Sequence, residues 1–300
     1  MGFVHESVMI RETLEALDPR AGGLYADATA GGGGHSQALL DASAPDGRVL
    51  AIDRDPDAVA EVRRRLAGYG ERALVVHGDY ADLGEILQRV GAQRVDGLVA
   101  DLGVSSHQLD SAQRGFSFAA EGPLDMRMDT SQGETAAELL ERIGERELAD
   151  VLFHYGEERR SRAVARSILR ARDQGELAST ADLRRAVVRT LGPRRGRIDP
   201  ATRTFQGLRI AVNRELDQLE ALLAAIPELL QDAGAAAIIS FHSLEDRIVK
   251  HTFRRDPRLS PLTRKPVIPT EEEQARNPRS RSAKLRAARR VPRGQEQVQA

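Results

Sequence analysis

Between residues 24 and 101 the chain repeats one unit four times: a short apolar run, an aspartate at or just past its end, then a helical pattern or a turn. The runs are Leu24-Tyr25-Ala26 closing on Asp27, Arg48 to Ile52 closing on Asp53, Ala73 to His77 followed by Gly78-Asp79, and Val95 to Ala100 closing on Asp101. Short apolar runs of this kind read as buried strands, and strands alternating with helices at this spacing imply a parallel sheet with right-handed crossovers. In such a sheet ligands sit outside the carboxyl ends of the strands. The four acids are therefore expected around one site.

The first repeat carries the strongest local signal. After Asp27 the chain reads Ala28-Thr29-Ala30 and then four glycines, Gly31 to Gly34, ahead of a helix expected over His35–Ser43. Glycine permits positive φ and close approach of the main chain to a ligand, and amides at a helix start point into the same space. The second helix is expected over Asp57–Ala67, opened by Asp55-Pro56, and the third from about Asp82 to Val90. Asp53, about twenty residues past the glycines, suits a carboxylate bonding ribose hydroxyls. Asp79 and Tyr80 would flank an adenine, one accepting from its amino group and one packing on its face. Two features turn the reading from a dinucleotide towards S-adenosyl-L-methionine. Asp27 would crowd a pyrophosphate but suits an amino-acid ammonium, and the third-glycine position falls on Ser36 or Gln37.

Composition bounds the chemistry. At 300 residues the chain exceeds the commonest domain size, so one large domain or a domain with an insertion is expected. The absence of cysteine removes disulfides, thiolate metal sites and any cysteine adduct, and no metal site is expected. No apolar run approaches the ~20 residues that span a bilayer, and the N-terminus has no basic segment ahead of an apolar one. A cytoplasmic location without membrane partners is the expectation. Net charge of −1 conceals an asymmetry: residues 1–150 hold 14 Arg against 27 Asp and Glu, whereas 151–300 hold 30 Lys and Arg against 18. A basic half points to a polyanion, since arginine pairs bidentately with phosphate.

Past Asp101 the alternation stops. Helices are expected over Thr135–Leu140, Glu145–Phe153, Ser161–Arg172 and Ala181–Leu191, then a long one from Gln206 to Leu223 that extends towards Ala233. This reads as an all-helical insertion at 107–204 within a discontinuous core of 1–106 and 205–300. Its arginines, Arg159, Arg160, Arg162, Arg166, Arg170 and Arg172, then Arg184, Arg185, Arg189, Arg194, Arg195 and Arg197, are expected to give a basic surface. A fifth strand over Ala235–Phe241 leads into a helix with Ser243 and Asp246 placed for capping. His242 there is either a substrate contact or a structural hydrogen-bond donor. Residues 276–290, basic and without an acid, suit a phosphate-binding edge strand or a disordered tail.

Several longer blocks stand out: His5-Glu6-Ser7-Val8, GGGGH at 31–35 with Asp53-Arg54-Asp55, DLGVSS at 101–106, and RGFSF at 114–118. PLDMRMD at 123–129, Tyr155-Gly156-Glu157-Glu158, ATRTFQGLRIAVNREL at 201–216 and FHSLEDR at 241–247 complete the set. Together they closely resemble the bacterial 16S ribosomal RNA cytosine-N4 methyltransferase family known as RsmH or MraW. The resemblance implies a Rossmann-like S-adenosylmethionine-dependent methyltransferase sheet with an inserted helical, substrate-recognition domain. It also implies transfer to the exocyclic amine of a cytosine in the small-subunit decoding centre. Carried over residue by residue, the cofactor contacts would be Gly33, Gly34, His35, Asp53, Tyr80, Asp101 and Gln108. Two positions depart from the family pattern, Gly32 in place of arginine and Tyr80 in place of phenylalanine.

The partner so implied is 16S ribosomal RNA or the small ribosomal subunit, with a homodimer left open. Cytosine N4 is a poor nucleophile, so orientation and an acceptor for developing positive charge are needed. Asp101 with Ser105 and Ser106 stands at the right strand end, with His242 second. The Asn/Asp-Pro-Pro-aromatic motif common in amine methyltransferases is replaced here by DLGVSS, which leaves the acceptor open. Without cysteine, methylation at pyrimidine C5 through a thiol adduct is excluded. A ribosome-assembly RNA-binding protein with a non-catalytic cofactor fold, and a nicotinamide-dependent oxidoreductase, are the alternatives. The row of acids disfavours the first, and Asp27 with Ser36 the second.

Overall fold

The computed structural model describes residues 7–193, 196 and 199–295. His5 and Glu6 of the first motif, and Arg194, Arg195 and Arg197 of the basic run, lie outside the described residues. In chain order the elements begin α1 (Ile10–Leu17), β1 (Leu24–Asp27), α2 (Gly34–Ala42), β2 (Arg48–Asp53), α3 (Pro56–Leu66), β3 (Ala73–His77), α4 (Leu83–Arg89) and β4 (Val95–Asp101). Next come α5 (Ser106–Asp110), α6 (Ala136–Arg142), α7 (Glu145–His154), α8 (Ser161–Asp173), α9 (Thr180–Leu191) and α10 (Thr202–Asn213). The chain closes with α11 (Glu215–Leu229), β5 (Leu230–Ser240), α12 (Ser243–Arg255), β6 (Leu259–Pro261), α13 (Glu271–Arg276) and β7 (Lys284–Arg290). Two compact units result: a sheet unit running to Gly103 and resuming at Leu216, and a helical unit, Val104–Glu215. Among the described residues no helix is long and apolar enough to cross a membrane.

The sheet has seven strands in the order β3-β2-β1-β4-β5-β7-β6. Strands β1 to β5 are parallel, and β7 runs antiparallel to both its neighbours. The parallel strands carry apolar side chains on both faces because helices cover both. Leu24, Ala26, Leu50, Ile52, Leu98 and Ala100 pack with Leu83, Ile86 and Leu87 of α4 and with Leu219, Leu222 and Ile226 of α11. The alternate residues Tyr25, Val49, Ala51 and Val99 pack with Leu39 and Leu40 of α2 and Val62 and Leu66 of α3. This period-two split of each strand is what fixes its register. The result is a Rossmann-like α/β sheet whose strand ends present Asp27, Asp53 and Asp101, with Asp79 two residues beyond β3.

In the helical unit, α6 to α10 enclose a separate core that includes Leu139, Leu148, Leu152, Ile168, Leu183, Phe205 and Leu208. Its loop at 114–129 is anchored by Asn213, whose side chain accepts from the Met128 amide (2.7 Å) and donates to the carbonyls of Met126 (2.7 Å) and Arg209 (2.9 Å). The expected single helix from Gln206 is two. Arg214 adopts a left-handed conformation (φ 50°, ψ 38°) between α10 and α11. With no glycine or proline at the break, tertiary anchoring of Asn213 ends the first helix, and Arg209 grips Glu215 across the break with two hydrogen bonds (2.7 and 2.8 Å). The unit boundaries therefore fall at 103 and 215 rather than 106 and 204, since α10 packs within the helical core.

Strand β5 begins five residues before the expected Ala235. Val95 pairs with Leu230 and Gly97 with Ala235, so residues 231–234 bulge out of the ladder, with Ala233 at φ 65°. The basic segment 284–290 is neither an edge strand nor a tail, because β7 lies between β5 and β6. Arg290, 2% exposed, donates to the carbonyls of Pro227 (2.8 Å) and Val291 (2.8 Å), while Arg286 pairs with Asp246 (2.7 Å). These cations close the sheet's far side.

Candidate active site

The glycine loop is built from its own backbone and from the next strand. The Ala28 amide donates to the Val99 carbonyl and that of Ala30 to Ile52, each at 2.8 Å, so the loop continues the ladder past β1. The Gly31 amide then donates to Asp53 Oδ2 (2.7 Å). Gly31 and Gly33 take left-handed φ (53° and 77°), and α2 begins at Gly34. Arg65 on α3 ties the loop from outside, through Nη1 to the Gly32 carbonyl (2.8 Å) and Nε to Gln37 Oε1 (2.7 Å). At Gly34 the need is for space: a Cβ would overlap Ser7 Oγ and stand 2.9 Å from Ser7 Cβ. The segment before α1 thus packs onto the loop, held in turn by the Met9 amide donating to Glu273 Oε1 on α13 (2.7 Å).

Two carboxylates and one imidazole meet behind this loop. Asp27 is fully buried, accepting from Ser36 Oγ (2.6 Å) and the Thr29 amide (3.3 Å). Burial raises its pKa, opposed in part by His35 and Ser36. His35, 3% exposed, holds Nε2 3.7 Å from Asp101 Oδ2, beyond hydrogen-bond length. Burial opposes charging of the ring, yet the Asp101 and Asp27 carboxylates outweigh it and raise its pKa. His35 Nε2 and Asp101 Oδ1 are both buried without a hydrogen-bond partner among the described residues. Buried polar atoms left so are costly, and a polar ligand reaching them would satisfy both. Thr29 Oγ1 accepts the Asp101 amide (2.6 Å) and so joins the first and fourth strand ends.

Asp53 accepts a second hydrogen bond from the Asp55 amide (2.8 Å), and burial pushes its carboxyl up to about 6. Asp79 caps the short turn Tyr80–Asp82 by accepting from the Ala81 amide (3.0 Å), and Arg54 Nη1 lies 3.5 Å from its carboxylate. Tyr80 is 9% exposed and packs in the core that flanks α4. Asp27, Gly33, Gly34, His35, Asp53, Asp79, Tyr80 and Asp101 thus all belong to the carboxyl edge of the sheet unit. Such an edge, with acids for hydroxyl and amino groups and unsatisfied atoms at its centre, fits a nucleoside-bearing cofactor.

Other expected site residues have structural employment. His242 is itself the N-cap of α12, in place of Ser243. Its Nδ1 accepts from the Glu245 amide (3.5 Å), while its Nε2 lies 3.1 Å from Glu245 Oε1 without hydrogen-bond geometry. Asp246, expected to cap, pairs with Arg286 instead. Ser105, Ser106 and Gln108 belong to the helical unit, where Ser105 caps α5 and its amide donates to Gln108 Oε1 (2.9 Å) in a reciprocal box. The arginine-rich surface is thinner than the run suggests: Arg166, Arg172, Arg184, Arg185 and Arg189 pair with Glu145, Asp173, Asp199, Asp182 and Glu176. Sequence alone assigns no role to Thr29 or Arg65, and it brings in Arg54 and Ser7 only within the blocks Asp53-Arg54-Asp55 and His5-Glu6-Ser7-Val8, without a role of their own.

Comparison with known proteins places the chain in a family. The chain is 59% identical over 291 residues to Ribosomal RNA small subunit methyltransferase H of Sorangium cellulosum (strain So ce56), covering 97% of this chain and 92% of that protein. It is 50% identical over 309 residues to the protein of the same name from Thermomicrobium roseum (strain ATCC 27502 / DSM 5159 / P-2), covering 97% and 95%. A third, from Magnetococcus marinus (strain ATCC BAA-1437 / JCM 17883 / MC-1), is 48% identical over 313 residues, covering 97% and 100%. The model of the MraW methylase family matches residues 2–291, which takes in both units, and the chain belongs to that family.

Proposed function

We propose that this chain transfers a methyl group from S-adenosylmethionine to the exocyclic N4 amine of a cytosine in the decoding region of 16S ribosomal RNA. One observation carries the reading: the carboxyl edge of the sheet gathers Asp27, Asp53, Asp79 and Asp101 about a glycine loop, with His35 Nε2 and Asp101 Oδ1 buried and unsatisfied. Family membership and relatives named as small-subunit ribosomal RNA methyltransferases support the substrate class.

When bound, the cofactor supplies a methyl group activated by a sulfonium centre. Asp53 would accept from its ribose hydroxyls, and Asp79 and Tyr80 would flank its adenine, one accepting from the amino group and one packing on the ring face. The amides of Gly34 and His35, at the start of α2, would line the loop side of the site, while Gly33, whose amide donates to the Ala30 carbonyl (2.7 Å), would let the backbone approach closely. Asp27, already engaged with Ser36 and Thr29, serves by holding the loop in shape. Asp101 would accept the proton that the cytosine amine must shed on gaining a methyl group, with the His35 ring 3.7 Å from its carboxylate acting on it through charge. Orientation of a delocalised, weakly nucleophilic amine supplies several kcal/mol of the barrier reduction. The target base leaves its stack to reach the site, as in recognition of RNA loops. The helical unit is assigned to recognising the RNA.

The test is transfer of labelled methyl to small-subunit RNA or particles by purified protein, with mass-spectrometric mapping of the modified nucleotide. The double variant Asp53→Ala/Asp101→Ala is expected to lose transfer. Undiminished transfer by that variant, or a label on any atom other than cytosine N4, would overturn the assignment.

A further inference from the structure

At one end of the helical unit three segments converge on the loop 155–160. The last turn of α7 brings Phe153 and His154, the loop itself brings Arg159 and Arg160 ahead of Arg162 in α8, and the first turn of α10 brings Arg203. The loop backbone is pinned from several sides. The Glu158 amide donates to the Leu152 carbonyl (3.0 Å), the buried Glu158 carboxylate accepts from the Arg160 amide (2.7 Å), and Gln206 Nε2 donates to the Tyr155 carbonyl (3.0 Å). Gly156 marks the closest approach, since a Cβ there would stand 2.5 Å from the Arg203 carbonyl oxygen and 2.7 Å from that of Leu152. The three helices are thus joined through a rigid platform.

The outward face of this platform has an unusual composition for a solvated helix end. Phe153 is 52% exposed, its ring edge-on to that of His154 (centroids 5.1 Å apart, planes at 86°). Arg159, Arg160, Arg162 and Arg203 are exposed, and among the described residues none of their guanidinium groups has a carboxylate partner. That separates them from the five paired arginines of α8 and α9 described above. Along residues 150–162 the exposed acids are Asp150 and Glu157 against the exposed Arg159, Arg160 and Arg162, and with Arg203 the set is net cationic. Unpaired arginines alone suit any anion. An exposed aromatic ring on the same end of the unit suits a polyanion that also offers flat π-faces, and a protein surface rich in acids lacks those faces.

We propose that this end of the helical unit binds single-stranded RNA, one base stacking on Phe153 while neighbouring phosphates pair with Arg159, Arg160, Arg162 and Arg203. The proposal deepens the function given above, because it rests on RNA being the substrate and says which surface of the helical unit grips it. Rigidity is part of the argument: the helix ends and pinned loop that carry the ring and the guanidinium groups lose little backbone freedom on binding.

The experiment titrates the full-length protein, without methyl donor, into a labelled single-stranded RNA of about a dozen nucleotides and into the same sequence as a duplex, over a range of salt. Phe153→Ala is expected to weaken single-strand binding about tenfold with the salt slope unchanged, and Phe153→Tyr to restore it. Arg159→Ala/Arg160→Ala/Arg162→Ala is expected to flatten the slope of log affinity against log salt by about 2, at roughly 0.7 per phosphate lost from a single strand. All the altered side chains are exposed, so melting temperatures are expected to stay put. Unchanged affinity in both variants, or equal losses on duplex and single strand, would overturn the proposal. So would intact RNA binding by Phe153→Ala together with a changed oligomeric state, which would assign the patch to a second copy of the chain. The readout needs no methyl donor, so a failure of the transfer reaction leaves this test standing.

Discussion

Asp53 provides the sharpest prediction, because acid acts on it in opposite directions for folding and for binding. Burial raises its carboxyl from 3.8 to about 6 even though it accepts amides from Gly31 (2.7 Å) and Asp55 (2.8 Å). A raised folded-state pKa means that the folded chain holds its proton more tightly than the unfolded one. Its stabilising contribution is therefore complete below about 3.8 and is lost as pH rises through about 6. The two values correspond to a contribution on the order of 3 kcal/mol, present in acid and absent at neutral pH. Binding responds the other way, since the ionised carboxylate is the stronger acceptor for ribose hydroxyls. About nine-tenths of Asp53 is ionised at pH 7 and about one-tenth at pH 5, so affinity for S-adenosylmethionine is expected to fall about tenfold, ~1.4 kcal/mol. Calorimetric titration between pH 5 and 7.5 measures this. Asp53→Asn serves as the control, because His35 and Asp27 also have raised pKa values and face the same site. The variant is expected to bind weakly, without the tenfold pH dependence. A flat wild-type profile, or a full tenfold fall retained in Asp53→Asn, would refute the reasoning.

Two further perturbations test how the frame is held. Asn213→Ala removes the acceptor of the Met128 amide and the donor to the Met126 carbonyl, leaving buried polar groups unpaired at roughly 1–3 kcal/mol each. A loss of about 3 kcal/mol in urea unfolding of the helical unit is expected, and a loss below about 1 kcal/mol would show that the loop re-pairs elsewhere. Gly34→Ala would drive its Cβ into Ser7, so the segment before α1 is expected to lift off the loop. Faster amide exchange at Val8 and Met9 with weaker cofactor binding would report this, and adding Ser7→Gly is expected to recover most of it. No recovery would place the glycine requirement elsewhere.

The alternation of apolar runs and helices along residues 24–101 was enough, by itself, to specify β1 to β4, the helices between them and the acids at their ends. Those signals are local: each strand is buried on both faces and each helix starts at a nearby turn or proline. Most helices of the insertion were legible for the same reason, through their period and caps. What escaped the sequence depends on partners far away along the chain. Nothing around Arg214 signals a break, and it is the Asn213 side chain, bonded 85 and 87 residues away, that ends the helix. The run of cations at 284–290 reads as exposed until β5 and β6 enclose it and Asp246 and the Pro227 carbonyl take up its guanidinium groups. In the glycine loop, the sequence determined that the chain must turn and where an acid must follow. Tertiary structure alone decided that Arg65 and Ser7 hold that turn in shape and that His35 and Asp101 meet with buried atoms unsatisfied, because such contacts arise only when separate elements pack.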